Sequence, residues 1–125
     1  MAAPNLKNPT TITGITSSVG ITTTVITGIL TNTSSSNKVY KINSIFAANT
    51  NETSAVDISI SILRNNTDTY LAKTVSVPAD ATQVISTKET YFYLEENVGI
   101  RAQASLANGI DVTISYEEIS WWRKL

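Results

Sequence analysis

The sequence predicts an all-β protein built as a single antiparallel β-sandwich, and three observations carry this prediction. Apolar side chains recur at every second position through most of the chain, which is the periodicity of a half-buried strand. Turn-forming residues interrupt that pattern about every ten residues. The chain contains 19 threonines and 14 serines, and threonine suits a pleated, half-buried surface as valine and isoleucine do. About eight or nine short strands fit either a jelly-roll or an immunoglobulin-like order, which the pattern does not resolve.

The clearest alternation lies in the last third of the chain. Val98–Leu106 and Ile110–Ile119 each place apolar side chains on one face and polar side chains on the other. Asn108-Gly109 lies between them, and Asn-Gly is the dipeptide that best fits a type I′ turn. The sequence therefore predicts a β-hairpin here.

The rest of the chain divides into an arm, a sandwich domain and a tail. Pro4 and Pro9 disfavour regular structure near the start, which predicts an extended N-terminal arm over residues 1–11. The sandwich is predicted over residues 12–120, followed by a C-terminal contact tail over 121–125. Further strands are expected after a turn at Ser17–Gly20: Ile21 to about Thr31, Lys38–Ala48, Val56–Leu63, Tyr70–Val77, Thr82–Ser86 and Thr90–Leu94.

Composition excludes several classes of function. The chain has no cysteine and no histidine, which rules out disulfides, the usual zinc sites and every histidine-based catalytic triad. A formal net charge of −1 provides no basic field for nucleic acid or for a membrane surface. No apolar signal core is present at the N-terminus, so we expect synthesis in a cytoplasm, although the protein need not remain there. No cofactor or metal site is expected.

Catalysis is not expected either. Adjacent acids occur at Glu95-Glu96 and Glu117-Glu118, and two carboxylates can form a glycosidase dyad or a calcium site. Neighbours along a strand point to opposite faces, however, so neither pair should converge on one substrate. We therefore predict a protein that is not an enzyme.

The two ends are the candidate contact sites. Tryptophan and arginine anchor protein interfaces, and extended arms commonly add to the edge of a neighbour's sheet. The alternatives are that the tryptophans cover the chain's own sandwich and that the arm is disordered. The tetrapeptide I-T-G-I occurs at Ile12–Ile15 and Ile26–Ile29, either by coincidence or because it marks two similar edge strands or an arm laid against a neighbour. The predicted partner-contact residues are Pro4, Leu6, Lys7, Trp121, Trp122, Arg123 and Lys124.

Several segments together resemble a known family. They are, in order, M-A-A-P-N at the start, K-V-Y-K-I-N-S-I-F-A-A-N from Lys38, V-D-I-S-I-S-I-L from Val56, T-V-S-V-P-A-D-A-T from Thr74, Y-L-E-E-N from Tyr93 and D-V-T-I-S-Y-E-E-I-S ending at Ser120. This pattern resembles small virion structural proteins of contractile-tailed phages of marine cyanobacteria. It covers most of the chain up to Ser120 and consists of strand and turn residues, with no catalytic signature.

The resemblance implies a β-sandwich structural protein of the virion. We expect a decoration (cement) protein that bridges subunits of the major capsid protein on the capsid exterior, in multiple copies that form a homo-oligomer such as a trimer. One alternative is a tail, neck or fibre-base component. Another, of a different class, is a carbohydrate-binding module for host attachment that uses Tyr91, Tyr93 or the two tryptophans as sugar platforms.

Overall fold

The computed structural model describes residues 9–121, and of Trp121 it describes the backbone only. It confirms the all-β prediction: the described residues form nine strands and one turn of 3₁₀-helix at Lys88–Thr90, with no α-helix. No helix among these residues is long and apolar enough to cross a membrane. The strands are β1 (Pro9–Ile21), β2 (Thr27–Asn32), β3 (Lys38–Asn49), β4 (Val56–Arg64), β5 (Thr67–Val77), β6 (Thr82–Ser86), β7 (Phe92–Leu94), β8 (Val98–Ala104) and β9 (Ile110–Trp121).

The strands form two antiparallel sheets that pack as a sandwich. Sheet A has the order β1-β9-β3-β6, with β7 also paired to β3, and sheet B has the order β2-β8-β4-β5. The pairs are nested in the sequence: β1 pairs with β9, β2 with β8, β3 with β6 and β7, and β4 with β5. Two four-stranded faces with this nesting are the strand order of a jelly roll. The immunoglobulin-like alternative does not have this order.

The core lies between the two sheets and is made of β-branched side chains. Inward positions alternate with outward ones along each strand, as the period-two pattern predicts. Twelve large side chains are almost completely buried, and eleven of them are isoleucine or valine. Eleven of them line the core, namely Ile42, Ile45, Ile58, Ile60, Leu94, Ile100, Ile110, Ile114, Val56, Val77 and Val112, and the twelfth, Val39, is buried on the outer face of sheet A.

The predicted hairpin across Asn108-Gly109 is wrong. Both strands exist, but β8 belongs to sheet B and β9 to sheet A, so their connection crosses from one sheet to the other. Asn108 has a φ of 61° but Gly109 does not have a positive φ, whereas a type I′ turn requires positive φ at both residues. The two-residue hairpin is found instead at Asn65 and Asn66, with φ of 53° and 60°, between the paired residues Arg64 and Thr67.

The first strand, β1, covers residues that the sequence assigned to the arm and to a turn. Residues 9–11, predicted as part of the arm, belong to β1. The predicted turn at Ser17–Gly20 is also strand, because these residues pair with positions 111–114 of β9. Ser17 and Val19 continue the inward alternation of Ile15 and Ile21, and that long-range pairing outweighs the local Ser-Gly turn signal. Of the two I-T-G-I segments, the first lies in β1 and the second largely in β2, both edge strands.

A bulge changes the faces of β3. Its pairing with β9 shifts between Ile42 and Ser44, so the inward residues are Tyr40 and Ile42 before the shift and Ile45 and Ala47 after it. Strict alternation along β3 would put Phe46 on the same face as Tyr40. A bulge inserts one extra residue and reverses the parity beyond it, and Phe46 is therefore outward-facing and 38% exposed.

Candidate functional site

The first and last described residues meet at one corner of sheet A. Pro9 lies opposite Trp121 in the ladder between β1 and β9, and the Thr10 hydroxyl donates to the carbonyl oxygen of Ser120 at 3.1 Å. We call Pro9, Thr10, Ser120 and Trp121 the terminal corner. Residues 1–8 and 122–125 are joined to the sandwich at this corner, so both predicted contact segments share one attachment point.

Most of the predicted contact residues lie outside the described part of the chain. This applies to Pro4, Leu6 and Lys7 of the arm, and to Trp122, Arg123 and Lys124 of the tail. The backbone of Trp121 is the end of β9. The contact role of all seven residues stays a prediction.

A polar cluster lies on the inner face of sheet A next to the terminal corner. The Lys38 ammonium lies 3.1 Å from a carboxylate oxygen of Glu118. The rings of Tyr40 and Tyr116 pack beside this pair, with centroids 5.1 Å apart. Burial and, secondarily, the nearby Glu118 charge raise the pKa of both tyrosines. These contacts tie β3 to β9 where the chain ends leave the sandwich.

The outer face next to the terminal corner carries an apolar row. Val39, Ile119 and Ile12 are in register across β3, β9 and β1, and none of them belongs to the core between the sheets. Val39 and Ile119 are buried, whereas Ile12 at the sheet edge is 58% exposed. Sequence reasoning missed this row because only the register of three strands that are far apart in the sequence brings these positions together. The terminal corner therefore adjoins an apolar edge.

Farther along the same outer face lies the aromatic pair considered as a sugar platform. Tyr91 is 47% exposed, and the ring of Tyr93 lies 5.8 Å from it at an angle of 84°. The Lys41 ammonium lies 4.4 Å from the centroid of the Tyr91 ring and covers one of its faces. Because the two rings are nearly perpendicular, they do not form one flat stacking surface.

The adjacent acids point to different partners, as strand parity predicts. Glu118 faces inward to Lys38, while Glu117 lies on the outer face in register with Lys41. Glu95 accepts two hydrogen bonds from Arg64, at 3.1 and 3.2 Å, and these bonds lower the pKa of its carboxyl group.

Glu96, its neighbour, is buried and accepts the backbone N–H of Asn37 at 2.8 Å. No group of three or more acidic, histidine or cysteine side chains that could hold a metal ion occurs among residues 9–121.

Sheet B presents an open polar cleft on its outer face. The cleft has a volume of about 310 Å³, and its lining includes Thr31, Gly99 and Arg101. Asp68 binds the Arg101 guanidinium through two oxygens, one of them at 3.0 Å from Nε. This ion pair neutralises the most prominent charge of the cleft.

A scan against protein-family models found no match, and a search of curated proteins found no relative. A function can therefore be inferred only from the jelly-roll fold, the terminal corner and the segments quoted above.

Proposed function

We propose that this protein is a structural component of a phage virion, and specifically a decoration protein on the capsid exterior. The observation that carries the proposal is the pairing of Pro9 with Trp121, which attaches both terminal segments to one corner of the sandwich. A protein fastened at one corner can leave the rest of its sandwich exposed. The jelly-roll order is compatible with this role, since it recurs in viral capsid proteins. It also occurs in lectins and cupins, so the fold alone does not decide the function.

The mechanism is burial of the two terminal segments against neighbouring capsid subunits. An extended arm adds to a partner's sheet edge through main-chain hydrogen bonds, and tryptophan side chains supply apolar anchors. Because the segments share the terminal corner, one copy can contact two adjacent subunits at the same junction. Binding to the assembled shell and not to free subunits stabilises the shell by mass action.

The experiment that tests the proposal is a cryo-electron-microscopy map of the intact particle. We expect copies distributed over the capsid lattice, with the terminal corner facing the shell and the opposite end of the sandwich facing solvent. Density confined to the neck, tail or fibres would overturn the decoration role in favour of the alternative virion position. Absence from the purified particle would overturn the virion assignment itself.

Two truncations test the contact segments directly. Removal of residues 1–8 and removal of residues 122–125 both stop short of the Pro9–Trp121 pair, so β1 and β9 are kept intact. We expect each truncation to weaken binding to undecorated particles. A matched control is Glu52→Lys, in an exposed loop at the opposite end of the sandwich, which should bind as the wild-type chain does. Full binding by both truncated chains would contradict the terminal-corner mechanism.

The carbohydrate alternative has a separate readout. A sugar platform at Tyr91 would produce glycan binding by the wild-type chain that Tyr91→Ala abolishes. We expect no such binding, because Lys41 covers one face of the ring.

A further inference from the structure

The outer edge of β1 is long, regular and uncharged. β1 spans 13 residues at one edge of sheet A and pairs with β9 on one side; no other strand of residues 9–121 pairs with its free side. Every second residue of an edge strand directs its N–H and C=O groups away from the sheet. About six residues of β1 therefore offer ladder hydrogen bonds to another strand.

The other three sheet edges are protected against such pairing. β2 has only six residues and a register shift between Gly28 and Leu30. β5 contains two register shifts in its pairing with β4, carries Asp68 and Lys73, and has Thr74 at a positive φ of 53°. The remaining edge is split into β6 and β7, of five and three residues. Short length, bulges and charges are the usual devices that prevent strand addition.

β1 has none of these devices beyond its first two residues. Its only register shift lies between Pro9 and Thr11, and no charged residue occurs from Pro9 to Ile21. An exposed edge with this composition is a template for another strand. The other three edges are protected against strand addition and the free edge of β1 is not, which indicates that β1 pairs with a strand of a partner.

We propose that β1 pairs antiparallel with β1 of a second copy of this chain about a two-fold axis. The two copies of sheet A would then form one continuous sheet with eight strands across it. This proposal does not depend on the proposed function.

The sequence of β1 favours a second copy as the occupant. In antiparallel self-pairing, each residue near the two-fold axis meets the same segment of the other copy, so any charge would face a like charge. β1 is free of that conflict in every register. On its outer face Gly14, Thr16, Ser18 and Gly20 are small, and a Cβ atom on Gly14 would contact nothing within 4 Å.

On the inner face of β1, self-pairing would also complete the burial of the core. Ile15 and Val19 pack against the core cluster but are only partly buried, because no strand among residues 9–121 follows β1 in the sheet. A second β1 would cover their exposed sides.

Antiparallel pairing would also place the two terminal corners at opposite ends of the ladder, up to roughly 40 Å apart at 3.4 Å per residue.

The absence of cysteine from the chain makes a cross-linking test direct, since any disulfide formed by a single-cysteine variant joins two copies. The test uses four single-cysteine variants on the outer face of β1: Ile12→Cys, Gly14→Cys, Thr16→Cys and Ser18→Cys. Each variant is oxidised alone and in a mixture with each of the others. Residues opposite each other across the ladder can form a disulfide, and diagonal ones are too far apart. We expect one position or one pair to give at least tenfold more dimer than the control Ser76→Cys, an exposed position of β5.

A charge variant tests the same interface without oxidation. Thr16→Lys combined with Ser18→Lys places like charges across the ladder, and we expect the dimer to dissociate at least tenfold more readily in sedimentation experiments. Ser115→Lys is the matched control, because Ser115 is the β9 partner of Thr16 on the same face but does not border the free edge. It should leave dimerisation unchanged, and thermal melting confirms that each variant is folded.

Three results would overturn the proposal. The first is a wild-type chain that stays monomeric at its highest soluble concentration, together with cysteine variants of β1 that show no preferred cross-link. The second is a dimer that survives the double lysine substitution, or is lost only when residues 1–8 are removed, which would place the contact elsewhere. The third is cross-linking of the cysteine variants of β1 to a different protein and not to a second copy of this chain.

Discussion

Gly109 lies against Val56 across the gap between the two sheets. A Cβ atom added to Gly109 would be 3.2 Å from Cγ2 of Val56 and 3.2 Å from the carbonyl oxygen of Leu106. The glycine is thus required for a close approach and not for a positive φ. Two backbone hydrogen bonds hold the connection between β8 and β9 that contains Gly109. The N–H of Asn108 donates to the carbonyl oxygen of Ile21, and the carbonyl oxygen of Gly109 accepts the N–H of Thr50.

We expect Gly109→Ala to destabilise the protein by about 1–3 kcal/mol, because the added methyl group must displace Val56 or the Leu106 backbone. Gly14→Ala is the matched control, since its Cβ atom would enter open space. Glycine in a strand interior is unfavourable, so the control should be neutral or stabilising by up to about 1 kcal/mol. Urea unfolding of both variants measures the difference. Equal stability of the two would contradict the close packing at Gly109.

The Asn108-Gly109 connection also shows what a sequence pattern can and cannot predict. Alternation in β8 and β9 identified both strands and their buried faces, except that Leu106, predicted to continue the buried face of the first run, lies beyond β8 and is 43% exposed. It did not identify their partners, because an Asn-Gly segment between two alternating runs looks the same in a hairpin and in a crossover between sheets. The outcome is decided by pairing with β1 and β3, which lie far away in the sequence.

The terminal corner lay beyond sequence reasoning for a related reason. Tryptophan and proline in the two ends suggested contact residues, but nothing local indicates that Pro9 meets Trp121. The apolar row of Val39, Ile119 and Ile12 likewise follows only from the register of three strands. The edge strand β1 was obscured by Ser17–Gly20, whose composition is typical of a turn.

Two isoleucines that differ in burial should differ in how much they contribute to stability. Ile60 is fully buried between Ala72 and Ala102 in sheet B, whereas Ile12 is 58% exposed at the edge of sheet A. Ile60→Ala should destabilise the chain by about 2–5 kcal/mol through lost burial and a residual cavity. Ile12→Ala should change stability by less than about 0.5 kcal/mol, as exposed positions do. Denaturant unfolding of the two variants checks the contrast, and a large loss for Ile12→Ala would show that this side chain is covered.

A buried amide links strands at one end of the sandwich. Asn32 is fully buried, and its Nδ2 donates to the carbonyl oxygens of Lys38 at 2.8 Å and Leu94 at 3.0 Å. Asn32→Asp replaces this donor with an oxygen that faces two carbonyls, so we expect a loss of roughly 3 kcal/mol at neutral pH. The carboxyl pKa would be raised in the folded state, and the loss should therefore shrink as the pH falls toward about 4. Urea unfolding at both pH values measures this.

Asn51→Asp is the control for that substitution. The Asn51 side chain acts as an acceptor, since Oδ1 receives the backbone N–H groups of Thr53 and Ser54 at 2.9 Å each. A carboxylate can keep these bonds, and charged acceptors strengthen them. We expect Asn51→Asp to be neutral or stabilising. A similar loss for both variants would indicate a general effect of added negative charge.

The ion pair between Asp68 and Arg101 predicts a dependence of stability on pH. The hydrogen bond from Arg101, followed by one from Ser61, lowers the pKa of the Asp68 carboxyl below its ordinary value. A carboxyl whose pKa is lower in the folded state contributes stability above its unfolded pKa of about 3.9 and loses it as the pH falls through the folded pKa. The melting temperature of the wild-type chain should therefore exceed that of Asp68→Asn at pH 7, and the two should converge under acid. A difference that persists unchanged at the lowest pH would assign the effect to neutral hydrogen bonding.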